Sequence, residues 1–470
     1  MNQGWMIPIG LMEVLPGDTF QHSTSALIRV SPLLAPVMHP VHVRIHHWFV
    51  PHRLTWDNFN EFITGGPDND DPHTFPTVQL SAGDWSTPFT MADYFGIADP
   101  GSYTFDVSAL PFRAYNLIFN EYYRDQDLQA EASVVTTDGV DSSTSRLLKQ
   151  ICWERDRFTM ARPWEQKGTQ VSIPIETDGT VPTLTGGGVT NATLVNDTTT
   201  INKLQAAGAS SNGTMIWGDN SGFRVDPNDL REAMALQRFA ENRARFGSRY
   251  TEYLASLGVK CSDARLQRPE FLGGGKQTIQ FSEVLQTAPD TTSGTTDPTG
   301  VGDLKGHGIG ALKSNKYRKF FEEHGYVISI MSVKPKTVYS QGCPRHFFKT
   351  TKEEYWQKEL EHIGSQPIYN KEVYTPHTTP DGTFGYCDRY DDYRRIESDV
   401  SGEFRDGAGL DYWHMARAFS TDPTLNSSFV ESTPTDRIYA STSTNQLYAM
   451  VHHSVQARRL VAQTGTPGRI

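Results

Sequence analysis

Apolar and polar residues alternate with a period of two near both ends of the chain, and this pattern constrains the fold most strongly. The alternation covers residues 41–46, 171–175 and 447–451, and it predicts strands that bury one face. Residues 326–333 are mostly apolar, which predicts a strand buried on both faces. The sequence therefore favours a mainly β framework.

Helix signals are fewer, and long polar segments separate the elements. Asp226 precedes Pro227, and Gly258 follows the last residues at helical spacing, which predicts a capped helical stretch over residues 227–258. A second helix is predicted from Pro111, where apolar residues recur at helical spacing. Residues 176–222 and 287–310 are rich in Thr, Gly, Asn and Ser, and we expect them to form long loops.

Composition excludes several classes of protein. The chain has 54 acidic residues against 43 Lys and Arg, a net charge of −11. A protein that wraps nucleic acid unaided is basic overall, so any such contact here has to be local or assisted. No apolar run approaches the roughly 18 residues that cross a bilayer, and we expect no membrane insertion. The four cysteines lie far apart in the chain, without the close pairs of a zinc site.

Several histidines suggest a metal site and several glycines a dinucleotide-binding loop, but their spacing and context exclude both. On a strand, His42 and His46 would lie about 13 Å apart, too far to share a metal ion. Residues 306–311 partly match a dinucleotide-binding loop, but no βαβ unit surrounds them, so a flexible loop is predicted. Adjacent carboxylates such as Asp391 and Asp392 are expected to be solvated. The sequence thus predicts no catalytic residue, metal ligand or cofactor site, and no enzyme.

One stretch interleaves basic and aromatic residues. Positive charges neutralise phosphates and aromatic rings stack on unpaired bases, so this mixture suits single-stranded nucleic acid. An ordinary solvated face, balanced by the acids at 322–323, remains the alternative. The candidate contacts are Lys313, Lys316, Tyr317, Arg318, Lys319 and the neighbouring Phe320, with Lys276, Arg458 and Arg459 as lesser candidates.

Several long segments carry a distinctive sequence. They are 13–20, 48–59, 110–118 with 123–126, 264–274, 323–328 and 425–429; the fourth reads Ala-Arg-Leu-Gln-Arg-Pro-Glu-Phe-Leu-Gly-Gly. These segments resemble one known family, the major capsid proteins of the Microviridae, in particular the gokushovirus-like branch, and they follow the family order along most of the chain.

This resemblance implies an eight-stranded antiparallel viral jelly roll, a β-sandwich with long loop insertions and several short helices, over residues 1–470. It also implies a major capsid subunit that assembles into a small T=1 icosahedral shell around circular single-stranded DNA. Residues 176–222 would form a surface-exposed insertion that contacts the bacterial host. Residues 227–258 would form a helical element between subunits.

The implied partners are other copies of the chain, at two-, three- and fivefold contacts, and the packaged DNA. A small basic DNA-packaging protein, a minor capsid or pilot protein and a host-surface receptor complete the set. A subunit with a net charge of −11 cannot neutralise a genome by itself, so a basic polypeptide, metal cations or polyamines are expected. The implied location is the virion, with assembly in the host cytoplasm. The alternative is a jelly-roll carbohydrate-binding or carbohydrate-active protein, because fold alone does not separate the two.

Overall fold

The computed structural model describes most of the chain, in two compact units formed by residues 1–165 with 245–470 and by residues 166–244. The described residues are 1–66, 72–85, 90–169, 171–172, 176–177, 194–196, 204–206, 223–224, 226–247, 249–285, 287, 304–442 and 445–461.

Sixteen strands and seven α-helices are present in the described part of the chain. The strands are Ile7–Val14 (β1), Thr19–Val30 (β2), Val41–Pro51 (β3), Thr77–Leu80 (β4), Phe105–Ser108 (β5), Glu176–Thr177 (β6), Leu194–Asn196 (β7), Leu204–Ala206 (β8), Phe223–Arg224 (β9), Glu270–Leu285 (β10), Leu304–Lys313 (β11), Tyr317–Phe320 (β12), Gly325–Pro335 (β13), Ser365–Tyr369 (β14), Thr383–Asp388 (β15) and Leu447–Arg458 (β16). The helices are Phe59–Thr64 (α1), Met91–Tyr94 (α2), Leu110–Ile118 (α3), Pro227–Phe246 (α4), Tyr250–Ser256 (α5), Asn370–Val373 (α6) and Ser427–Val430 (α7).

Eight of the strands form one large antiparallel sheet that folds into two layers. The order is β1-β13-β3-β10-β11-β2-β12, and β16 pairs with β2 as well. β10 belongs to both layers, because Glu270–Ile279 pairs with β3 and Gln280–Leu285 pairs with β11. β11 and β12 pair with successive parts of β2, while β16 pairs along its whole length. The mainly β, eight-stranded antiparallel architecture is therefore confirmed.

The strand predicted to be buried on both faces is β13. Its Met331 and Val333 lie in the apolar cluster between the two layers, with Ile28 and Ile45. Its Ile328 and Ile330 face the other way, into a second cluster that includes residues of α3. The period of two along a strand sends neighbours to opposite faces, and here both faces have an apolar partner. The strands predicted from residues 41–46 and 447–451 are also confirmed, as β3 and β16.

The predicted helices are present, with one interruption. Pro111 lies in the first turn of α3. The Asp226 carboxylate accepts a hydrogen bond from the Asn228 amide at 2.7 Å, at the start of α4, as the sequence predicted. The stretch 227–258 is divided into α4 and α5 at Gly247, whose φ of 93° lies in the left-handed region and ends the helix.

The flexible loop predicted around residues 306–311 is wrong, because these residues form part of β11. A β-carbon on Gly306 would lie 2.3 Å from the Ala35 carbonyl oxygen, and one on Gly308 would lie 2.6 Å from Val30 Cγ2. The glycines therefore allow close packing inside a strand. The strand predicted at 171–175 and the insertion at 176–222 lie largely outside the described residues.

Candidate nucleic-acid interface

β2, β11, β12 and β16 present one surface to solvent. Burial alternates strictly along β11 from Gly306 to Lys313, so odd-numbered residues point outward and even-numbered ones inward. Strand register extends this surface: Lys313 lies opposite Ser25, and Arg318 opposite Gln21. On the other edge of β2, Arg458 lies opposite Thr19. Charges that are distant in sequence are thereby placed side by side.

This surface is positively charged in an otherwise acidic protein. The sequences of the four strands contain no aspartate or glutamate. We define the cationic face by its five outward basic residues, none of which forms an ion pair with a carboxylate of the described residues. They are Arg29, Lys305, Lys313, Arg318 and Arg458.

Exposed apolar and aromatic side chains lie among these charges. Phe320 is 54% exposed, Tyr448 52% and Met450 73%. A groove of about 400 Å³ between Leu27, Lys313 and Met450 runs across the strands. Flat exposed rings beside exposed cations can stack on bases while the cations neutralise phosphates.

The structure brings together five of the nine residues predicted from the sequence. Lys313, Arg318 and Arg458 lie on the cationic face, and Lys316 is exposed in the short turn between β11 and β12. Phe320, the aromatic neighbour in the same stretch, is exposed as well. These five side chains are free to contact a ligand in the described structure.

Tyr317 and Lys319 point away from this surface. Tyr317 is only 9% exposed, and its hydroxyl lies 3.0 Å from His22 Nδ1, so its ring cannot stack on a base. The Lys319 ammonium lies 2.7 Å from the Glu270 carboxylate. Both residues are inward neighbours of Arg318, as the period of two along β12 requires.

Arg459 and Lys276 have other partners too. The Arg459 guanidinium lies 3.1 Å from the fully buried carboxylate of Asp18 and over the ring of Phe20, so it fixes the end of β16. Lys276 lies in the other layer, 3.6 Å from Glu154.

Sequence reasoning missed Arg29, Lys305 and Tyr448, which lie on the same surface. A usable signal existed, because each of the four strands lacks acidic residues. Their proximity, however, depends on strand order, which the sequence pattern does not specify.

A buried polar network lies between the two layers, beneath the cationic face. His22 Nε2 lies 3.1 Å from His453 Nδ1. The ring nitrogens of His47 lie 2.8 Å from the Ser329 hydroxyl and 3.1 Å from the Ser314 hydroxyl. Burial, followed by repulsion from His453, lowers the pKa of His22 to about 4. Burial, followed by repulsion from His22, lowers the pKa of His47 to about 3. Both rings are therefore neutral at pH 7.

Among the described residues, no group of three or more His, Cys, Asp and Glu side chains is arranged to hold a metal ion. No helix in that part of the chain has the length and apolar character needed to span a membrane.

The two-layered antiparallel sheet with long connections places the protein in the jelly-roll class. The family described as Capsid protein (F protein) matches residues 1–469. Capsid protein VP1 of Bdellovibrio phage phiMH2K is 35% identical over 465 residues, covering 92% of this chain and 86% of the relative. Capsid protein VP1 of Chlamydia phage 1 is 32% identical over 536 residues, covering 93% and 88%. The VP1 capsid protein of Spiroplasma virus 4 is 30% identical over 524 residues, covering 99% and 92%.

The chain belongs to the capsid protein (F protein) family. The resemblance to Microviridae capsid proteins is thereby confirmed, and the protein is a structural subunit of a bacteriophage capsid rather than an enzyme. Its location is the virion, and its function is assembly with copies of itself. The carbohydrate-binding alternative has no support among these relatives.

Proposed function

We propose that this capsid subunit builds a T=1 icosahedral shell around circular single-stranded DNA, with the cationic face turned toward the DNA. The observation that carries the proposal is the complete absence of carboxylates from four adjoining strands in a chain of net charge −11. An acid-free surface with unpaired cations avoids repulsion of the phosphate backbone. Exposed rings on the same surface fit unpaired bases, which duplex DNA would not offer.

Contacts between copies at the two-, three- and fivefold axes require apolar surface elsewhere. Helix α4 offers such surface, because Met234, Leu236 and Phe239 are each at least half exposed. Large apolar side chains that remain exposed are typical of protein interfaces. They support the assignment of residues 227–258 to an element between subunits.

Five cations per subunit are too few to neutralise a packaged genome, so counter-charge has to come from elsewhere. A small basic DNA-packaging protein is the partner that the family resemblance favours, with metal cations or polyamines as alternatives. A minor capsid or pilot protein, a host-surface receptor and assembly in the bacterial cytoplasm belong to the same proposal.

The proposal is tested with the triple variant Lys313→Ala, Arg318→Ala, Arg458→Ala. Particles are purified, and the ratio of DNA-filled to empty shells is measured by sedimentation and by absorbance at two wavelengths. We expect fewer filled shells at unchanged total yield. In binding assays with single-stranded DNA, the slope of log affinity against log salt should fall by roughly 2, because three phosphate contacts are lost.

A matched control removes the same charge elsewhere. Lys352, Lys358 and Arg405 are exposed and lie outside the four strands, so their triple alanine variant should package DNA normally. Equal filled fractions in the two triple variants would contradict the assignment of the cationic face.

The insertion at 176–222 is tested separately, by limited proteolysis of intact particles. We expect the first cuts within this segment, since long polar loops on an outer surface are the preferred sites of cleavage. Protection of 176–222 while other segments are cut would refute its outward placement.

A further inference from the structure

A second cationic cluster lies on the outward surface of the other layer. Arg44 of β3 is paired directly with Lys276 of β10, and Lys334 of β13 is paired with His42 of β3. Like charges placed directly opposite on neighbouring strands are unfavourable. Only one carboxylate of the described residues, that of Glu154, lies within ion-pair distance of this cluster.

The charges of this cluster do not balance. Glu154 Oε1 lies 2.6 Å from Arg44 Nη2 and 3.6 Å from Lys276 Nζ, so one carboxylate is shared by two cations. The Lys334 ammonium donates a hydrogen bond to the Cys152 carbonyl at 2.7 Å and has no carboxylate partner among the described residues. Lys334 is only 9% exposed, and an unpaired buried ammonium is costly.

One donor of this cluster has no acceptor among the described residues: Arg44 Nε is buried and forms no hydrogen bond there. Burial, followed by repulsion from Arg44, lowers the pKa of Lys334 to about 8, with Glu154 and Cys152 acting in the opposite direction and Lys276 adding to the repulsion. The ammonium is nevertheless mostly protonated at pH 7.

These side chains line a cavity of about 540 Å³. Its lining contains eight cationic side chains and four carboxylates. One of the cations is Arg124, which is 8% exposed and whose Nε has no hydrogen-bond partner among the described residues. Two of the cations, Arg124 and Arg245, form ion pairs with Glu131 and Asp388 outside the lining. The remaining six cations still outnumber the four carboxylates, and the cavity contains buried N–H groups that lack an acceptor in the described part of the chain.

We infer that Arg44, Lys276 and Lys334 bind a phosphate group. The three cations and Glu154 leave two positive charges, which match a phosphate dianion. A guanidinium with a free N–H and two ammonium groups supplies the charge-assisted donors that phosphate oxygens accept. The phosphate can come from a nucleotide of bound nucleic acid or from free phosphate. The inference does not depend on the cationic face, because it rests on the opposite layer and on other residues.

Calorimetric titration of the full-length chain with sodium phosphate, at ionic strength held constant with sodium chloride, tests the site. We expect one saturable site in the wild type and affinity about tenfold weaker in both Lys334→Met and Lys276→Met. Lys352→Met is the matched control, since Lys352 is 85% exposed, and it should bind phosphate like the wild type. Lys334→Met should unfold at no lower temperature than the wild type, because it removes an unpaired buried charge.

A second titration with a short single-stranded oligonucleotide identifies the source of the phosphate. Weaker oligonucleotide binding by Lys276→Met and Lys334→Met would assign the site to nucleic acid. Unchanged oligonucleotide binding, with phosphate binding lost, would assign it to free phosphate. Absence of saturable phosphate binding, or equal affinity in the wild type and both variants, would overturn the inference.

Discussion

Acidification should destabilise the subunit, because the buried network between the layers holds His22 and His47 without charge. In the unfolded chain a histidine has a pKa of 6.5, whereas the folded values are about 4 for His22 and about 3 for His47. The unfolded state therefore binds more protons than the folded state below pH 6.5. The stability that these neutral rings contribute is fully present above pH 6.5. It is lost as the pH falls toward 4 for His22 and toward 3 for His47.

The magnitude follows from these two pKa values. Between pH 7 and pH 5, each ring should lower the free energy of unfolding by about 2 kcal/mol, or about 4 kcal/mol together. A typical domain has only about 5–15 kcal/mol in total. The rings of His22 and His47 hydrogen-bond to hydroxyl groups and to one further histidine ring, that of His453. The hydroxyl groups belong to Thr24, Ser314, Tyr317 and Ser329. No carboxylate of the described residues hydrogen-bonds to either ring, so nothing there compensates the added charge.

Urea unfolding at pH 7 and pH 5 measures the effect, with His47→Gln as the test variant. Glutamine retains hydrogen-bonding groups but cannot take up a proton, so the loss of stability between the two pH values should shrink by about 2 kcal/mol. His307→Gln is the control, since His307 is exposed on β11 and its replacement should leave the pH dependence unchanged. An equal loss in the wild type and in His47→Gln would refute the reasoning.

Two further predictions concern stability, one for the adjacent residues Arg458 and Arg459 and one for Gly308. Arg459→Ala should lower the free energy of unfolding by about 1–3 kcal/mol, because Asp18 stays buried without its counter-charge. Arg458 is exposed and has no carboxylate partner in the described part of the chain, so Arg458→Ala should change this free energy by no more than about 0.5 kcal/mol. Equal effects of the two variants in urea unfolding would contradict this. Gly308→Ala should cost about 1–3 kcal/mol, since its β-carbon would lie 2.6 Å from Val30, and unchanged thermal stability would show that β11 can move.

The elements that could be predicted from the sequence are those whose environment follows from their own pattern. β3 alternates and β13 is mostly apolar, and each signal is complete within a few residues. The pattern did not predict β11, because glycines such as Gly306 and Gly308 are typical of loops. In the structure these positions need glycine because the Ala35 backbone and the Val30 side chain leave no room for a β-carbon. No local pattern contains that information.

In the candidate interface too, some residues follow from local sequence and others only from strand pairing. Lys313 and Arg318 could be found because they lie in one short basic stretch, while Arg29 joins them only through strand pairing. Tyr317 lies in the same basic stretch, but its ring faces inward. Along a strand, neighbours of an outward arginine point inward, so the period of two already placed the ring of Tyr317 and the charge of Arg318 on opposite sides.

The continuous strand β10 has a mechanical consequence for the two charged surfaces. Lys276 lies on its first part, which pairs with β3, and its last residues pair with β11, where Lys305 and Lys313 are located. We therefore expect the two layers to move together when either surface is loaded, because one uninterrupted backbone runs through both.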